Sequence, residues 1–306
     1  MKVNIVFESS NGLLHDFRIM AELLMSMGHD VTMNASPRIE CGLVIFLEHI
    51  SCLHIDAAKD GTCIYIPNLE WMDVSDVNLL NHRALRSVCC KNRATLETLA
   101  TFCDTCILTG FTSLEVPLIE KYTNKVECLH IKGTSMYKNS QLVVDTWLQN
   151  RNWPTLHVVC RGVIDIDPPL WAANNVVIHQ RRFNEDELHA IMQRCAIHVC
   201  PSYCEGFGHY INEAMACGAC VVTTDAPPMN ELVDIETGVL VPYASKETVR
   251  ILGTGYVVSQ ESLTNAINKA VCFTPQELQS IGNRAHNAYK KNKELFENKM
   301  STVVNG

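Results

Sequence analysis

Short apolar runs alternate with longer amphipathic stretches along most of this chain. The runs are continuous rather than interrupted by polar residues, which is typical of parallel strands buried on both faces of a sheet. The amphipathic stretches predict helices, the clearest of which covers Leu13–Met27 and is closed by Gly28. The pattern therefore predicts an α/β protein with doubly wound parallel sheets. The predicted strands are Val3–Glu8, Asp30–Met33, Leu43–Leu47, Cys63–Ile66, Ser87–Cys90, Cys106–Leu108, Val126–Ile131, Leu156–Cys160, Val176–His179, Ile197–Cys200, Cys220–Thr223 and Val239–Val241.

These strands fall into two groups, which indicates two lobes. The first lobe is predicted to span residues 1–124 and the second residues 125–273, with the join near Phe111–Asn124. A polar helix is predicted over Pro275–Met300, within a C-terminal segment, 274–306, that could return to the first lobe. A length of 306 residues agrees with two domains of ~100–200 residues each.

Composition and charge narrow the class of protein. Hydrophobic residues make up 47% of the chain and charged residues 19%, which excludes a disordered chain. The net charge of −8 disfavours a nucleic-acid partner, because binding to phosphates needs cationic side chains. We find no apolar run of bilayer-spanning length and no signal-peptide layout, so we expect a cytoplasmic protein without stable membrane insertion. Peripheral membrane contact stays open, although residues 1–124 carry a net charge of −6.

The fifteen cysteines resemble buried thiols of a reducing compartment more than a disulfide framework. Two Cys-x-x-Cys pairs, Cys103 with Cys106 and Cys217 with Cys220, have the spacing of zinc ligands, but they lie far apart in the chain. The acid-x-acid segment Asp165–Asp167 resembles a metal-binding motif, and its proline-rich surroundings favour a turn. We therefore expect neither a metal nor another cofactor.

The segment Pro201–Gly218 is the most informative part of the sequence. A buried strand, a loop with Gly206 and Gly208, and the start of a helix together favour an anion site, because unpaired amides and the helix dipole point at the ligand. Glu205 lies in the loop and Glu213 in the helix, on the order of 10 Å apart at ~1.5 Å per helical residue. That separation exceeds the ~5–9.5 Å between two carboxyl groups that act on one bond. It suits two ends of an elongated ligand, with sugar hydroxyls at one end, ribose hydroxyls at the other and a diphosphate between them.

This segment resembles the Glu-x7-Glu signature of retaining GT-B glycosyltransferases of family 4, P-S-x-x-E-G-F-G-x-x-x-x-E-A-M-A-x-G. The resemblance extends over about Lys125–Tyr243. It implies two Rossmann-like lobes with a cleft between them, and transfer of a sugar from a nucleotide-sugar substrate with retention of configuration and without a metal. A glycan, a lipid-linked molecule or a small molecule would be the acceptor, bound by the first lobe.

The resemblance also implies roles for particular residues. Lys138 and Glu205 would be catalytic, with Lys138 on the donor diphosphate and Glu205 on the donor sugar. The arginine that usually precedes this lysine has no clear counterpart, and Arg181 stands where a glycine is usual. Either His49 or His54 could reach the donor or the acceptor. The donor-binding set is Gly12, Lys138, Arg181, Arg182, Phe183, Glu205, Gly206, Phe207, Gly208, His209 and Glu213.

Three other functions compete with this interpretation. A dinucleotide-dependent oxidoreductase lacks the Gly-x-Gly-x-x-Gly fingerprint after an early strand. A GT-B epimerase or phosphorylase would not predict the pair Glu205 and Glu213. A non-catalytic relative that binds sugar nucleotides stays open, because the arginine is missing and the first loop has Gly12 in place of a Gly-Gly pair.

Overall fold

The computed structural model describes residues 1–8, 10–118, 126–161 and 175–306. The chain forms two compact units. Unit 1 contains Met1–Leu114, Thr248–Thr254 and Lys291–Gly306, and unit 2 contains Glu115–Glu247 and Gly255–Lys290. The acid-x-acid segment Asp165–Asp167 lies outside the described residues.

Unit 1 is built on a six-stranded parallel sheet with the order β2-β1-β3-β4-β5-β6. Its core is formed by apolar side chains that include Phe46, Tyr65 and Val88. The strands are β1 (Lys2–Val6), β2 (Asp30–Met33), β3 (Leu43–Glu48), β4 (Cys63–Pro67), β5 (Leu85–Cys90) and β6 (Cys106–Leu108). The helices are α1 (Asn11–Ser26), α2 (Cys52–Ala57), α3 (Val74–Leu79) and α4 (Arg93–Leu99).

Unit 2 contains a second six-stranded parallel sheet, with the order β12-β11-β10-β7-β8-β9. Apolar clusters cover its faces and include Trp147, Leu156 and Met215. The strands are β7 (Glu127–Gly133), β8 (Thr155–Cys160), β9 (Val176–Gln180), β10 (Ile197–Cys200), β11 (Cys220–Thr224) and β12 (Gly238–Val241). The helices are α5 (Ser140–Leu148), α6 (Glu185–Arg194), α7 (His209–Ala216), α8 (Met229–Leu232) and α9 (Gln260–Val271).

Three further elements contribute residues to both units. A two-stranded sheet consists of β13 (Tyr243–Val249) and β14 (Gly253–Val258). The last helix, α10 (Pro275–Asn305), is five residues longer than the predicted Pro275–Met300. Among the described residues, no helix combines the length and the apolar character needed to cross a bilayer.

The predicted α/β fold with two parallel sheets is confirmed, and every predicted strand is present with ends that shift by at most two residues. The start of the first helix was predicted wrongly. It begins at Asn11 rather than Leu13, because the Ser10 side chain caps it by accepting a hydrogen bond from the Leu13 amide. Gly12 therefore lies in the first helical turn instead of a preceding loop. The pair β13 and β14 was not predicted.

The strand orders define where ligands bind in such sheets. In an open α/β sheet, the crevice lies at the carboxyl ends of the strands, where the strand order reverses direction. This switch point lies between β1 and β3 in unit 1 and between β7 and β10 in unit 2. The loops that follow these four strands are therefore the places to look for a site.

Candidate functional site

The loops that follow β7 and β10 are fastened to each other at the switch point of unit 2. The Asn139 side-chain amide donates a hydrogen bond to the Pro201 carbonyl at 2.8 Å, and the Tyr203 amide donates to the Tyr137 carbonyl at 2.7 Å. Asn139 has a φ of 50°, a left-handed conformation that asparagine tolerates, and it immediately precedes α5 without a capping hydrogen bond from its side chain. This turn fixes the preceding residue, Lys138, beside the loop that follows β10.

Lys138 is linked to Glu205 through two intervening side chains. The Lys138 ammonium lies 3.8 Å from the centroid of the buried Tyr210 ring, a cation–π contact. The Tyr210 hydroxyl hydrogen-bonds the Ser202 hydroxyl. Ser202 Oγ in turn donates to Glu205 Oε1 at 2.6 Å. An ammonium group and a carboxylate are thus connected through one buried Tyr–Ser pair.

The environment of the Glu205 carboxylate favours a ligand that donates hydrogen bonds. Burial raises the pKa of Glu205 above its ordinary value, while Lys138, the Ser202 hydroxyl and His209 partly offset that effect. The side chain as a whole is only partly buried by surface area. A carboxylate that is desolvated but reachable forms strong hydrogen bonds with hydroxyl groups.

The helix α7 begins directly beside Glu205. Its N-cap residue is Gly208, with a φ of +98° that favours glycine, and an added Cβ would lie 3.2 Å from Ile211 Cδ1. A side chain added here would therefore be strained and would crowd Ile211 at the amino end of the helix. First-turn amides and the helix dipole make such an end suitable for an anion. His209 is the first residue of this helix and Glu213 the fifth, and both are partly buried.

The loop after β9 places Arg181 and Phe183 together. Arg181 stacks over the Phe183 ring at 4.1 Å, and its Nη1 atom donates to both carboxylate oxygens of Glu187 at 2.9 and 3.0 Å. Glu187 also completes the capping box of α6 with Asn184. Arg182 is exposed. Like the loop that carries Glu205, this loop follows the carboxyl end of its strand. The two strands, β9 and β10, are separated in the sheet by β7 and β8.

The predicted residues thus fall into three places. Around the amino end of α7 the structure brings together Lys138 with the segment 205–209 and Glu213, whereas Arg181, Arg182 and Phe183 lie on the β9 loop. Gly12 lies in unit 1. Of the two histidines, His54 has both ring nitrogens in hydrogen bonds, to Ser51 Oγ and the Ala35 carbonyl, each at 2.9 Å. It is a structural residue.

Sequence reasoning missed Tyr210, Ser202 and His130 as parts of this site. His130 is fully buried, where its Nδ1–H donates to the Val199 carbonyl and its Nε2 atom accepts from Ser140 Oγ, both at 2.7 Å. Burial lowers its pKa to about 4. It therefore joins β7, β10 and the start of α5 as a neutral imidazole. The sequence feature that could have identified His130 is its position inside an apolar run, between Leu129 and Ile131.

Two groups of side chains among the described residues have the spacing of metal ligands: Glu127, His157 and Cys195 in unit 2, and His49, Asp73 and Asp76 in unit 1. The Glu127 carboxylate already accepts from the Arg194 guanidinium at 2.7 Å. In the second group, the Asp73 and Asp76 carboxylates accept hydrogen bonds from backbone amides at the start of α3 and from the Ile50 amide. These contacts account for the grouping without an ion.

The cysteines are all free. The Sγ atoms of Cys103 and Cys106 lie 3.2 Å apart in unit 1. Cys217 and Cys220 are fully buried in unit 2. The two Cys-x-x-Cys pairs therefore belong to different units.

Residues 133–253 match the sequence model of the glycosyl transferases group 1. This range contains Lys138, Glu205 and α7, and it covers less than half of the chain. Among curated proteins, none matches the chain significantly.

Solved structures match nearly the whole chain. Sucrose-phosphate synthase from Thermosynechococcus elongatus superposes with a TM-score of 0.75 at 15% identity, over 99% of this chain and 98% of that protein. The fold is that of the GT-B glycosyltransferases. A glycosyltransferase from Rickettsia africae has a TM-score of 0.74 at 15% identity, over 99% and 97% of the two chains. HepE from Anabaena, solved in complex with UDP-glucose, has a TM-score of 0.68 at 17% identity, over 100% of both chains. At these identities, the likeness establishes the fold.

Proposed function

We propose that this protein is a retaining, metal-independent glycosyltransferase of family 4, which moves a sugar from a nucleotide-sugar donor to an acceptor hydroxyl. The observation that carries the proposal is the connection of Lys138 to Glu205 through Tyr210 and Ser202, beside the glycine-capped start of α7. The match of residues 133–253 to the glycosyl transferases group 1 supports it independently.

In this proposal each part of the donor meets a group of matching chemistry. The diphosphate lies against the amino end of α7 and Lys138, where amides, dipole and ammonium all favour negative charge. The sugar hydroxyls donate to Glu205, and the ribose hydroxyls donate to Glu213. The loop with Arg181, Arg182 and Phe183 supplies an aromatic face and cations for the nucleotide base.

The chemical step breaks the bond between the anomeric carbon and the diphosphate oxygen. Negative charge grows on the leaving diphosphate, while positive charge grows on the sugar ring. Lys138 and the α7 amides stabilise the leaving group, and fixed electrostatic groups of this kind contribute ~3–4 kcal/mol. The acceptor hydroxyl attacks on the face that the diphosphate leaves, and its proton passes to the departing phosphate oxygen. This route retains the anomeric configuration and requires no metal.

The first donors to test are UDP-sugars, because HepE was solved with UDP-glucose. The purified chain is incubated with UDP-, GDP- and ADP-sugars in the presence of a chelator, with and without a set of acceptors, and donor loss is followed by proton NMR. We expect one donor to be consumed and the product to keep the anomeric configuration of the donor. Lys138→Ala should abolish most of this turnover, whereas Lys269→Ala, at an exposed position of α9, should not.

The outcome separates the enzyme from its non-catalytic rival. Saturable nucleotide-sugar binding without turnover, over the whole acceptor set, would assign the chain to the binding relatives. An inverted product would contradict retention, and dependence on a divalent metal would contradict the metal-independent mechanism.

A further inference from the structure

Unit 1 has polar side chains at the carboxyl ends of three neighbouring strands and in the helix that follows a fourth, and none of them is used in the donor site. Glu48 is the last residue of β3, Asn68 follows β4, and Lys91 follows β5. Asp16 lies in α1, the helix that follows β1. Because the switch point of this sheet lies between β1 and β3, these residues surround the position where an open α/β sheet binds a ligand.

Hydrogen bonds join these four side chains into one row. Lys91 Nζ donates to Asp16 Oδ2 at 2.6 Å and to Asn68 Oδ1 at 2.9 Å. The Asn68 amide nitrogen then donates to Glu48 Oε2 at 2.9 Å. Lys91 and Asp16 are both almost completely buried, at 2% and 3% exposure, so this part of the row is rigid. Its outer end is the partly exposed Glu48 carboxylate.

The backbone at Glu48 is in a conformation that its side chain rarely adopts. Glu48 has a φ of +69°, and the His49 amide donates to the Leu47 carbonyl at 2.8 Å, which together make a tight γ-turn. The Tyr65 hydroxyl holds the turn by donating to the Glu48 carbonyl at 2.7 Å. Strained turns of this kind persist at sites where the surroundings impose them.

The turn places His49 next to Glu48 in a fixed orientation. The His49 Nδ1–H donates to Asp76 Oδ2 at 2.7 Å, and the other oxygen of this buried carboxylate accepts the Ile50 amide at 2.8 Å. With Nδ1 engaged, the Nε2 atom of a ring that is 26% exposed has no protein partner among the described residues. Two oriented polar groups, Glu48 Oε1 and His49 Nε2, therefore remain for a ligand.

The charge around Glu48 and His49 determines whether a charged or a neutral ligand is favoured. The Lys91 ammonium forms an ion pair with Asp16. Within the described residues, no lysine or arginine lies within ion-pair distance of Glu48. A phosphate here would face an uncompensated carboxylate, which disfavours it. Neutral hydroxyl groups can donate to Glu48 and exchange hydrogen bonds with His49 at no such cost.

We propose that Glu48 and His49 bind hydroxyl groups of an uncharged sugar, which is the acceptor, and that they discriminate against sugar phosphates. Asn68 and Asp76 are positioning residues that hold these two groups. The acceptor role rests on the proposed glycosyltransferase function, whereas the preference for an uncharged sugar is a property of unit 1 that can be tested without turnover.

The binding test uses the full chain with histidine side chains observed by NMR. Methyl glucoside, methyl mannoside, methyl galactoside and methyl N-acetylglucosaminide are titrated, and glucose 6-phosphate and mannose 6-phosphate are the charged counterparts. We expect saturable shifts of the His49 ring with at least one neutral glycoside, and weaker binding of its phosphate by about tenfold or more. Glu48→Gln should weaken glycoside binding by about 10- to 100-fold, the range for a hydrogen bond to a charged group. Glu22→Gln, at an exposed position of α1, is the matched control.

Two substitutions of His49 separate ligand contact from a structural role. Asparagine keeps a donor near the Nδ1 position and so keeps the Asp76 contact, but it has no atom at the Nε2 position. If the role of His49 is only to hold α3, His49→Asn retains wild-type sugar binding. We expect it instead to lose binding, while His49→Gln, whose amide reaches the Nε2 position, recovers part of it.

Transfer assays extend the test to the acceptor role. Glu48→Gln should lower kcat/KM for the acceptor by about 10- to 100-fold, whereas the control Glu22→Gln should leave it unchanged. Without any turnover in the wild type, the glycosyltransferase function and the acceptor role fail, while glycoside binding that depends on Glu48 would still establish the sugar site. Preference for the sugar phosphates, binding of Mg²⁺ in place of any glycoside, or no glycoside binding would overturn the proposal.

Discussion

The Lys138 ammonium lies 3.8 Å from the centroid of the Tyr210 ring, and the hydroxyl of that ring bonds the same Ser202 that donates to Glu205. Tyr210 therefore supports the cation with its face and the carboxylate, through Ser202, with its hydroxyl. One buried aromatic residue controls the positions of both proposed catalytic groups.

Two substitutions of Tyr210 separate these two roles. Tyr210→Phe keeps the ring face and removes the bond to Ser202, so donor turnover should fall by less than about tenfold, as for one neutral hydrogen bond. Tyr210→Leu also removes the cation–π contact, worth up to about 2 kcal/mol in a desolvated site, and should cost roughly 30-fold more. The measurement is kcat for donor cleavage, with near-UV circular dichroism as a check of folding. Equal losses in the two variants would show that the ring face has no part in placing Lys138.

Lys138 and Glu213 should affect different kinetic constants. Lys138→Ala removes charge stabilisation that grows in the transition state, so kcat should fall by about 10²–10³ with little change in nucleotide affinity. Glu213→Ala removes a ribose contact present throughout the reaction, so Kd for the nucleotide should rise and kcat should change little. Calorimetric titration with nucleotide and steady-state kinetics check both variants. The reverse pattern would exchange the two roles.

Gly255 should be needed to hold the loop that carries Glu205. The Tyr203 ring packs so closely on Gly255 that an added Cβ would lie 2.0 Å from Cζ and 2.3 Å from Cε1 of that ring. The Tyr256 amide donates to the Tyr203 carbonyl at 2.7 Å, and the Tyr203 hydroxyl donates to Glu247 Oε2 at the same distance. Gly255→Ala should therefore displace Tyr203 and lower donor turnover by about tenfold or more, since the strain of overpacking costs ~1–3 kcal/mol.

A double variant is the control for this clash. In Tyr203→Ala combined with Gly255→Ala, the added methyl group meets no ring, so the second substitution should add little to the loss caused by the first. If Gly255→Ala lowers turnover equally in both backgrounds, the effect does not pass through Tyr203.

His130 should make stability sensitive to acid. Burial in the folded protein lowers the pKa of His130 to about 4, whereas its pKa in an unfolded chain is ~6.5. Between these pH values the unfolded state binds more protons. The contribution of His130 to the free energy of unfolding is therefore fully present above pH ~6.5 and is lost as the pH falls towards ~4. From about pH 7.5 to about pH 5, it should lower the free energy of unfolding by about 2 kcal/mol.

The measurement is urea unfolding of wild type and His130→Gln at both pH values, followed by far-UV circular dichroism. In the variant, most of the loss of about 2 kcal/mol between the two pH values should disappear, because a neutral amide does not titrate. His189→Gln, at a partly buried position of α6, should keep the wild-type dependence. Identical acid sensitivity in wild type and His130→Gln would contradict the account.

The sequence predicted the inner strands of the two large sheets well because they are largely buried on both faces and therefore appear as apolar runs, such as Ile197–Cys200. It could not predict β13, whose positions are mostly exposed and form no such run. It also missed the order of the strands, because that order depends on how the helices pack and leaves no local signal.

The site shows the same limit. Lys138, Glu205 and Gly208 stand out in local motifs, but the contacts that position them join distant parts of the chain. Asn139 and Pro201, for example, are 62 residues apart. At Gly12 a local contact was overlooked instead. Because Ser10 accepts a hydrogen bond from the Leu13 amide, the helix begins before the glycine rather than after it.

The most direct test of the central claim is a double-mutant cycle of Lys138→Ala and Glu205→Gln, with kcat for donor cleavage as the measured quantity. If both residues act on one bound donor, each single variant loses most of the activity, and the double variant loses little more than the worse single one, because groups that act as a unit are not additive. If either single variant keeps wild-type turnover, or if the two losses simply multiply, the residues do not share a donor and the proposed site is contradicted.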